Sequence, residues 1–468
     1  MTDLATLDGS GLADAYRSGT LSPVEAVRDT FARADRHGPA INAFVLLDEA
    51  GALARAAESE RRWRAGAPLG PLDGLPVTIK DNVNWAGHPC RRGSRTSHDG
   101  PAAEDAPCVA ALLAAGAVLI GKTTLPEFGW KGLGDSPLTG ATRNPWDTRT
   151  TTGGSSAGAA AAAALNLGVM HVGTDGAGSI RIPAAFTGVF GLKPSYGRVP
   201  AHPPSPFAIV SHVGPITRTV RDAALMLSAM SRPDPRDMTA QAAPVGDLAG
   251  GLDAGVRGLR IAWSPRLGYV SDLDPEVERL TAEAARAFAD LGAVVEEADP
   301  GFADPVETLN TLWRVGAWSV LRAIPRERWP EIDPALVAEG EAGRGIEAAD
   351  YVAAANARNA LFSTMARFHQ RYDLLLTPAL AVPAFPVNRL APEGDDRPGW
   401  LGWTPYSYPF NLTHQPAASV PCGLTAAGLP VGLQIVGPML ADARVLQAAR
   451  AFEAARPWPV LDAPRVRT

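Results

Sequence analysis

The chain has 468 residues, of which 46% are hydrophobic and 20% are charged, so it can bury a large core and is not disordered as its main state. Its 43 basic and 49 acidic side chains give a formal charge of -6 without a long block of like charges. This balance excludes the basic face that nucleic-acid binders and anionic-membrane binders carry. The length permits one large domain or two.

Three scattered cysteines and the character of the N-terminus indicate the compartment. Cys90, Cys108 and Cys422 form no C-x-x-C pair, so neither a disulfide framework nor a zinc cluster is expected. The first residues lack the basic start and the apolar stretch of a signal peptide. The most apolar run, 157–172, is shorter than the ~18 residues that a membrane-spanning helix needs. The sequence therefore predicts a reduced, cytoplasmic protein.

Two helices are predicted near the N-terminus. Ser22 is placed as N-cap, Pro23 as the first helical residue, and Glu25 completes a capping box. A second helix, at about 48–65, is rich in charged residues and is expected to expose that face to solvent.

The composition changes after these helices. From 71 to about 198 the chain is rich in small residues, and short apolar runs at 75–79, 117–120 and 169–172 alternate with helical segments. This alternation is typical of a parallel or mixed sheet layered with helices.

The second half begins after a predicted surface linker at 233–258. A strand is predicted at 259–263, and a helix that starts at Asp274-Pro275 and ends at Gly292. Five tryptophans between about 300 and 410 form either core and subunit contacts or the walls of a pocket that favours apolar or aryl substrates. They are Trp313, Trp318, Trp329, Trp400 and Trp403.

Residues 116–123 match the phosphate-loop pattern G-x-x-x-x-G-K-[ST]. That chemistry needs the intervening residues to be a loop that leads from a strand into a helix. Here 117–120 is itself the predicted strand, and the helix at 106–115 precedes it. Nucleotide binding is therefore not expected.

Residues 154–158 match the G-x-S-x-G nucleophile elbow, which must follow a buried strand. The preceding segment, 142–152, is polar and interrupted by Pro145, so no such strand is expected. An α/β-hydrolase with Ser156 as the nucleophile is accordingly disfavoured.

Three segments with glycine-bearing or strand-end backbone remain: 74–82, 153–158 and 173–181. In the third, glycines allow the chain to bend so that successive N–H groups face one point just before Ser179. A nucleophile beside such donors is what acyl transfer requires. The alternative for this segment alone is a tight glycine turn capped by a serine.

A serine nucleophile needs a base, and none of the eight histidines lies in a recognisable catalytic motif. His171 lies within an apolar strand and is expected to be a core residue.

A lysine can be the base if its pKa falls from about 10.4 by roughly 3 units. Lys80 follows the apolar run 75–79, which would bury its amine, although a surface charge at a strand end is the simpler alternative.

Two hydroxyls in the glycine-flanked turn at 153–158 are predicted to connect the nucleophile and the base. Ser155 and Ser156 can each donate and accept a hydrogen bond, so they can pass a proton from Ser179 to Lys80. Capping of the alanine-rich helix that follows is an alternative role, and the two roles are compatible.

Taken together, these residues resemble the amidase signature family, and the match covers nearly the whole chain. The segments that carry the resemblance are 21–25, 70–82, 140–145, 153–158, 173–188, 191–194, and 409–412 through 432–435. The resemblance implies one large α/β domain over 1–468, with a central mixed sheet covered by helices on both faces. Within it we expect N-terminal helices at 1–66, a catalytic core at 67–235, and a second part at 236–468 that completes the sheet and the substrate pocket.

The resemblance also implies roles for particular residues. Ser179 would be the nucleophile, Lys80 the base, and Ser155 a bridging serine whose peptide bond to its neighbour is cis. The oxyanion hole would consist of four consecutive N–H groups, those of Gly176, Ala177, Gly178 and Ser179. The side chains expected to support these groups are Ser156, Asp175 and Arg181.

This sequence departs from the family pattern at two positions. Ala157 and Ala177 stand where the family usually has glycine. The methyl group of Ala177 is expected to narrow the pocket beside the oxyanion hole and to restrict φ there. Substrate choice would then be affected, while no reacting group is lost.

The predicted function is hydrolysis of a carboxylic amide C–N bond through an acyl-enzyme, with esters as further substrates. A small-molecule amide is the expected partner, with no cofactor, metal, nucleic acid or membrane, and a homodimer is left open. Two alternatives remain: the glutaminase subunit of a tRNA-dependent amidotransferase, and a non-catalytic binding protein on the same scaffold. The sequence does not determine whether the amide is aryl, aliphatic or cyclic.

Overall fold

The computed structural model describes residues 4–395 and 399–466. Within these residues one α/β domain is built on a mixed sheet of eleven strands flanked by helices. Four further short strands, β4 to β7 below, form two separate two-stranded ribbons. The strands are β1 (Phe44–Leu47), β2 (Pro76–Lys80), β3 (Val118–Thr123), β4 (Asp135–Ser136), β5 (Gly140–Ala141), β6 (Arg143–Asn144), β7 (Asp147–Thr151), β8 (Met170–Asp175), β9 (Phe190–Lys193), β10 (His212–Thr217), β11 (Arg260–Trp263), β12 (Val294–Glu297), β13 (Leu374–Pro378), β14 (Ala417–Leu424) and β15 (Pro430–Val436).

The helices cover the sheet and join its strands. They are α1 (Gly9–Ser18), α2 (Pro23–Ile41), α3 (Glu49–Arg64), α4 (Pro107–Ala114), α5 (Ala157–Ala164), α6 (Arg181–Thr187), α7 (Val220–Met230), α8 (Pro275–Asp290), α9 (Val306–Leu321), α10 (Pro334–Gly343), α11 (Ala348–Phe368), α12 (Pro409–Leu412) and α13 (Asp442–Ala455). The predicted fold class, a mixed sheet flanked by helices in a single domain, is confirmed.

The strand order of the sheet is β1-β3-β2-β8-β10-β9-β14-β15-β13-β11-β12. Strand β2 pairs in parallel with β3 on one side and with β8 on the other, whereas β10 is antiparallel to both β8 and β9. Because the carboxyl ends of parallel strands meet at one edge of a sheet, the residues that follow β2 and β8 lie close together.

Local sequence signals set several element boundaries as predicted. The Ser22 hydroxyl accepts from the Glu25 N–H at 3.2 Å, and Glu25 Oε2 accepts from the Ser22 N–H at 2.8 Å, which completes the capping box of α2. At the start of α8 the Asp274 carboxylate accepts from the N–H groups of Glu276 and Val277. These caps satisfy helix N–H groups that have no partner within the helix.

The alanine-rich helix α5 is buried along its whole length, and small side chains let it pack closely on the sheet and on α6. A Cβ on Gly158 would lie 2.2 Å from the Ala43 carbonyl oxygen. The methyl group of Ala157, one of the two departures from the family pattern, fits because its neighbour is Gly134, where a Cβ would lie only 2.7 Å away. The glycine at 134 therefore provides the space that Ala157 occupies.

The two motif matches have ordinary structural explanations. Lys122 lies within β3, and its amine forms a buried ion pair with Asp81 at 2.8 Å, so residues 116–123 are not a phosphate loop. The expectation that no strand precedes Ser156 is wrong in part, because β7 is present. However, β7 pairs with β6 in a two-stranded ribbon outside the main sheet, and it is therefore not the central-sheet strand that a nucleophile elbow follows.

The three cysteines are free thiols in the structure. No cluster of three or more histidine, cysteine or acidic side chains suited to a metal ion occurs in the described ranges. Likewise, no helix within 4–395 or 399–466 combines the length and the apolar character needed to cross a bilayer.

One buried carboxyl makes stability depend on pH. Asp222 on α7 accepts from the Gly9 N–H at 3.0 Å, and burial together with the nearby Asp8 raises its pKa to about 7. In the unfolded chain the pKa of an aspartate is about 3.9, so between about pH 4 and pH 7 only the folded state holds this proton. Stability contributed by Asp222 is therefore present at low pH and is lost as the pH rises through 7.

In the unaltered protein this contribution should fall by about 2–3 kcal/mol between pH 5 and pH 8, and we expect Asp222→Asn to remove this fall in the free energy of unfolding. Denaturant unfolding at both pH values measures the difference. The exposed Asp14 serves as a control, since Asp14→Asn is expected to leave the pH dependence as it is. An unchanged pH dependence in Asp222→Asn would contradict the assignment.

Candidate active site

The candidate site lies where β2 and β8 end. Ile79 on β2 is opposite Val172 on β8, so the next residue of β2, Lys80, lies beside the last residues of β8, which include Thr174. The glycine-rich turn at 153–156 approaches the same point from the start of α5. Lys80 is fully buried, as the preceding apolar run predicted.

The Lys80 amine is surrounded by hydroxyl groups. Its Nζ lies 2.7 Å from Ser155 Oγ, 3.0 Å from Ser156 Oγ and 2.8 Å from Thr174 Oγ1. Burial lowers the pKa of Lys80 well below its ordinary value, and the more distant Asp175 only partly offsets this effect. Lys80 forms no ion pair with a described residue, so the site favours the neutral amine, which can accept a proton.

Thr174 is a site residue that sequence analysis missed. Its hydroxyl also accepts from Asn82 Nδ2 at 3.0 Å, and its carbonyl oxygen accepts from the Ser156 hydroxyl at 3.0 Å. The register of β2 against β8 would have identified it, because Thr174 lies two residues beyond Val172, beside the end of β2.

The two remaining predicted serines, Ser155 and Ser179, both line one cavity. The Gly154–Ser155 peptide bond is cis, and the Ser156 N–H donates to the Ser179 carbonyl oxygen at 3.0 Å, which ties the two loops together. The structure thus joins Ser155 directly to Lys80. The Ser179 hydroxyl faces the cavity and forms no hydrogen bond with Ser155 or with any other described side chain.

A buried ion pair fixes the loop that carries Ser179. Arg181 donates to both carboxylate oxygens of Asp175, each at 3.0 Å, and Asp175 also accepts from the N–H groups of Gly178 at 2.7 Å and Ile180 at 3.1 Å. Burial alone would raise the pKa of Asp175, but the Arg181 guanidinium, together with the charge of Lys193 and the amide of Asn411, holds it well below its usual range. The carboxylate therefore stays charged and keeps residues 176–179 in one conformation.

Two residues from the second half of the chain complete this ion pair. Asn411 Nδ2 donates to Asp175 Oδ1 at 2.8 Å, and Arg181 donates to Gln434 Oε1 at 2.7 Å. Sequence analysis placed both residues in matching segments but assigned them no role. Every polar atom of the buried pair thereby gains a partner, which offsets the cost of burying two charges.

The loop from Gly176 to Ser179 presents backbone donors to the cavity. The N–H groups of Gly176, Ala177 and Ser179 have no acceptor in the part of the chain that the structure describes, whereas the Gly178 N–H is engaged by Asp175. Gly178 has a φ of 123°, and a Cβ there would lie 2.6 Å from Ser407 Oγ, so this position requires glycine.

The expectation that the Ala177 methyl narrows the pocket is wrong. The side chain of Ala177 is buried in a hydrophobic cluster with Ile182 and Trp400, and Gly176, not Ala177, lines the cavity. The φ of Ala177 is not in the left-handed region, so the methyl group causes no backbone strain there.

The cavity has a volume of about 560 Å³, which suits a small-molecule substrate. One wall is aromatic, because Phe207 stacks on Trp313 with ring centroids 4.0 Å apart and an interplanar angle of 17°. Of the five tryptophans singled out in the sequence, Trp313 lines the cavity, while Trp400 and Trp403 are buried in the core. A core position is therefore confirmed for Trp400 and Trp403, and a position in the cavity wall for Trp313.

Most of the cavity lining comes from segments that the sequence did not indicate. Residues from 82–108 and 200–213 form much of it. After residue 300, the described lining residues all lie within 313–324.

His171 is a core residue, as predicted. It is fully buried, it contacts the Thr78 hydroxyl at 2.8 Å, and burial lowers its pKa to about 3.

Comparison with known proteins agrees with this geometry. The model of the Amidase family matches residues 25–446. The chain belongs to the amidase family. Its amidase-signature fold and its class, an amide-hydrolysing enzyme, are as the sequence predicted.

Relatives of this amidase include both hydrolases and components of amidotransferases. It is 39% identical over 463 residues to an acylamidase of Rhodococcus erythropolis, with 97% of each chain covered. It is 38% identical over 480 residues to a glutamyl-tRNA(Gln) amidotransferase subunit of Myxococcus xanthus, again with 97% of each covered. The crystal structure of a bacterial aryl acylamidase of the amidase signature family matches it with a TM-score of 0.91 at 33% identity, covering 98% of both chains.

Proposed function

We propose that this amidase hydrolyses a small-molecule carboxylic amide through an acyl-enzyme on Ser179, with Lys80 as the base and Ser155 as the proton relay. The observation that carries the proposal is the fully buried Lys80 amine, 2.7 Å from the Ser155 hydroxyl in the cavity that Ser179 faces. A neutral amine in this position can accept a proton that a lysine in water would not accept at neutral pH.

The first step of the reaction forms a tetrahedral intermediate on Ser179. Ser179 Oγ attacks the carbonyl carbon, its proton moves to Ser155 Oγ, and the Ser155 proton moves to the lone pair of Lys80 Nζ. The Ser179 and Ser155 hydroxyls must approach to hydrogen-bond distance for this step, and such contacts often tighten only when substrate binds. The tetrahedral oxyanion is stabilised by N–H groups of residues 176–179.

The following steps release both products. The proton on Lys80 returns through Ser155 to the nitrogen of the leaving group, the C–N bond breaks, and departure of the leaving amine gives the acyl-enzyme. Water then attacks the acyl carbon and passes a proton through Ser155 to Lys80; this proton returns to Ser179 Oγ as the bond from the acyl carbon to Ser179 Oγ breaks, and the carboxylic acid leaves. Throughout these steps the hydroxyls of Ser156 and Thr174 hold the Lys80 amine in place. The Asp175–Arg181 pair holds the loop that carries Ser179.

Within residues 176–179, the proposed oxyanion donors are the N–H groups of Gly176, Ala177 and Ser179. The Gly178 N–H, which the resemblance also implied, already donates to Asp175. We propose that it contributes by fixing the loop, because preorganised donors need no reorganisation when the oxyanion forms.

A second candidate function is that of a glutaminase component in a tRNA-dependent amidotransferase. It is favoured by the 38% identity to the Myxococcus xanthus protein over nearly the full length of both chains. Glutamine hydrolysis that requires co-purified partner proteins would support this function. Turnover of simple amides by the isolated chain would support the hydrolase instead.

Covalent labelling tests the proposed nucleophile and also the third candidate, a non-catalytic scaffold. A fluorophosphonate is expected to modify Ser179 stoichiometrically, since this reagent traps a serine activated by a base. Peptide mass spectrometry identifies the modified residue, and Ser179→Ala is expected to abolish labelling. A protein that stays unlabelled would favour the non-catalytic scaffold, and a label on Ser155 or Ser156 would reassign the nucleophile.

A further inference from the structure

An arginine lies in the wall of the catalytic cavity without a charged partner. Arg92 lines the cavity together with Ser155 and Ser179. It forms no ion pair with any residue in the described ranges, and no aspartate or glutamate is among the described residues of the cavity wall. Its side chain contacts the thiol of Cys90, which is a weak acceptor and leaves most of the five guanidinium N–H donors available.

The backbone at Arg92 is strained. Arg92 has a φ of 54° and Phe128 a φ of 51°, both in the left-handed region that side chains other than glycine rarely adopt. The two residues are hydrogen-bonded to each other, from the Phe128 N–H to the Arg92 carbonyl oxygen at 2.7 Å, and both line the cavity. Glycine would adopt this backbone conformation without strain, so an arginine side chain at this position destabilises the folded backbone. Such strain occurs preferentially at functional sites.

This strained pair is adjacent to the reacting groups. Gly129 follows Phe128, and a Cβ on Gly129 would lie 3.3 Å from Ser155 Oγ. The Phe128–Gly129 segment therefore lies against the proposed relay serine, and Arg92 is hydrogen-bonded to this segment through the Phe128 N–H.

Several contacts hold the Arg92 segment in place. The Arg92 N–H donates to the Asp81 carbonyl oxygen at 3.0 Å. Further along the same loop, Arg328 donates to the carbonyl oxygens of Arg95 at 2.8 Å and Thr96 at 3.2 Å. The guanidinium is thus presented from a fixed backbone, and a ligand that binds it loses little freedom to protein reorganisation.

We propose that Arg92 binds a carboxylate carried by the substrate, so that this amidase prefers amides with an anionic group over neutral amides of the same shape. The inference rests on the proposed function, because it assigns a substrate class to the same cavity. A guanidinium fork matches the planar carboxylate with two parallel N–H···O bonds. The aromatic wall of Phe207 and Trp313 then contacts the apolar part of the substrate.

Two matched pairs of amides test the preference, one for each side of the scissile bond. For the amine side, 4-acetamidobenzoate is compared with 4-acetamidotoluene; for the acyl side, N-phenylsuccinamate is compared with butyranilide. In at least one pair we expect kcat/KM of the unaltered enzyme to be about 10- to 100-fold higher for the acid, the effect of a charge-assisted hydrogen bond. Raising the salt from about 0.05 M to about 0.5 M is expected to reduce this ratio.

Arg92→Gln is expected to bring the ratio of acid to neutral kcat/KM to within about threefold of unity, because the amide side chain retains donors but no charge. Arg95→Gln is the matched control, since Arg95 is an exposed arginine of the same loop that does not line the cavity and the net charge changes equally. We expect Arg95→Gln to keep the preference. Equal kcat/KM values within both pairs for the unaltered enzyme would overturn the proposal, as would loss of the preference in Arg95→Gln.

A binding measurement separates this proposal from the proposed function. In the Ser179→Ala background, isothermal titration calorimetry is expected to give, in at least one pair, a Kd for the acid ligand about 10- to 100-fold lower than that of the neutral ligand, and Arg92→Gln is expected to remove the difference. This result does not depend on turnover. If neither amide is hydrolysed but the binding difference is present, the proposed function fails and the carboxylate site stands. If amides are hydrolysed but binding shows no difference in either pair, the carboxylate site fails alone.

Discussion

Replacing Ser179 with alanine is expected to lower kcat/KM for any amide substrate by about four to six orders of magnitude while the protein stays folded. The loss is large because the variant cannot form the acyl-enzyme, and the remaining groups contribute only substrate binding and oxyanion stabilisation. The stability cost should be small, because the Ser179 hydroxyl forms no hydrogen bond with another described side chain. Initial rates on a panel of aryl, aliphatic and cyclic amides measure the activity, and circular dichroism with thermal melting measures the fold.

A serine that lines the same cavity but has no proposed role provides the control. Ser211 is such a residue, and we expect Ser211→Ala to retain activity within about threefold. Near-normal turnover by Ser179→Ala would refute the acyl-enzyme on this residue.

Replacing Lys80 with methionine is expected to lower kcat/KM by about three orders of magnitude or more, because no group is left to take the proton from Ser155. The pH dependence should change as well. Burial lowers the pKa of Lys80 well below its ordinary value, and only the neutral amine is active. In the unaltered enzyme kcat/KM should therefore rise with pH through that lowered pKa, and Lys80→Met should lose this limb of the profile.

Lys80→Arg distinguishes a base from a fixed positive charge. Arginine keeps the charge but does not lose its proton in proteins, so the variant is expected to be as inactive as Lys80→Met. Substantial activity in Lys80→Arg, or an identical pH profile in Lys80→Met and the unaltered enzyme, would rule out the proposed base.

The parts of this site that sequence could predict depend on contacts close along the chain. The apolar run before Lys80 indicates a buried strand that ends at this residue, and the glycines around Ser155 and Ser179 indicate that these loops bend. The capping box of α2 likewise involves Ser22 and Glu25 alone. Such signals are read from a few consecutive residues, and the structure agrees with them.

The parts that could not be predicted depend on long-range packing. Asn411 is 236 residues from Asp175, and nothing in its own segment indicates that it contacts the ion pair. The tryptophans illustrate the same limit, because an apolar ring suits a core and a cavity wall equally, and only the fold separates Trp313 from Trp403. The short ribbon strand β7 was missed because its polar residues lack the hydrophobic alternation of a half-buried strand.

The catalytic groups and the cavity walls belong to different parts of the molecule. Lys80 and Thr174 are positioned by strands of the sheet, and Asn411 and Gln434 secure the nucleophile loop from the other half of the chain. The walls of the cavity lie mainly in the loops at 82–108 and 200–213. Exchange of these loops could redirect the enzyme to new amides without loosening the reacting atoms, which makes the scaffold a suitable starting point for laboratory evolution of substrate range.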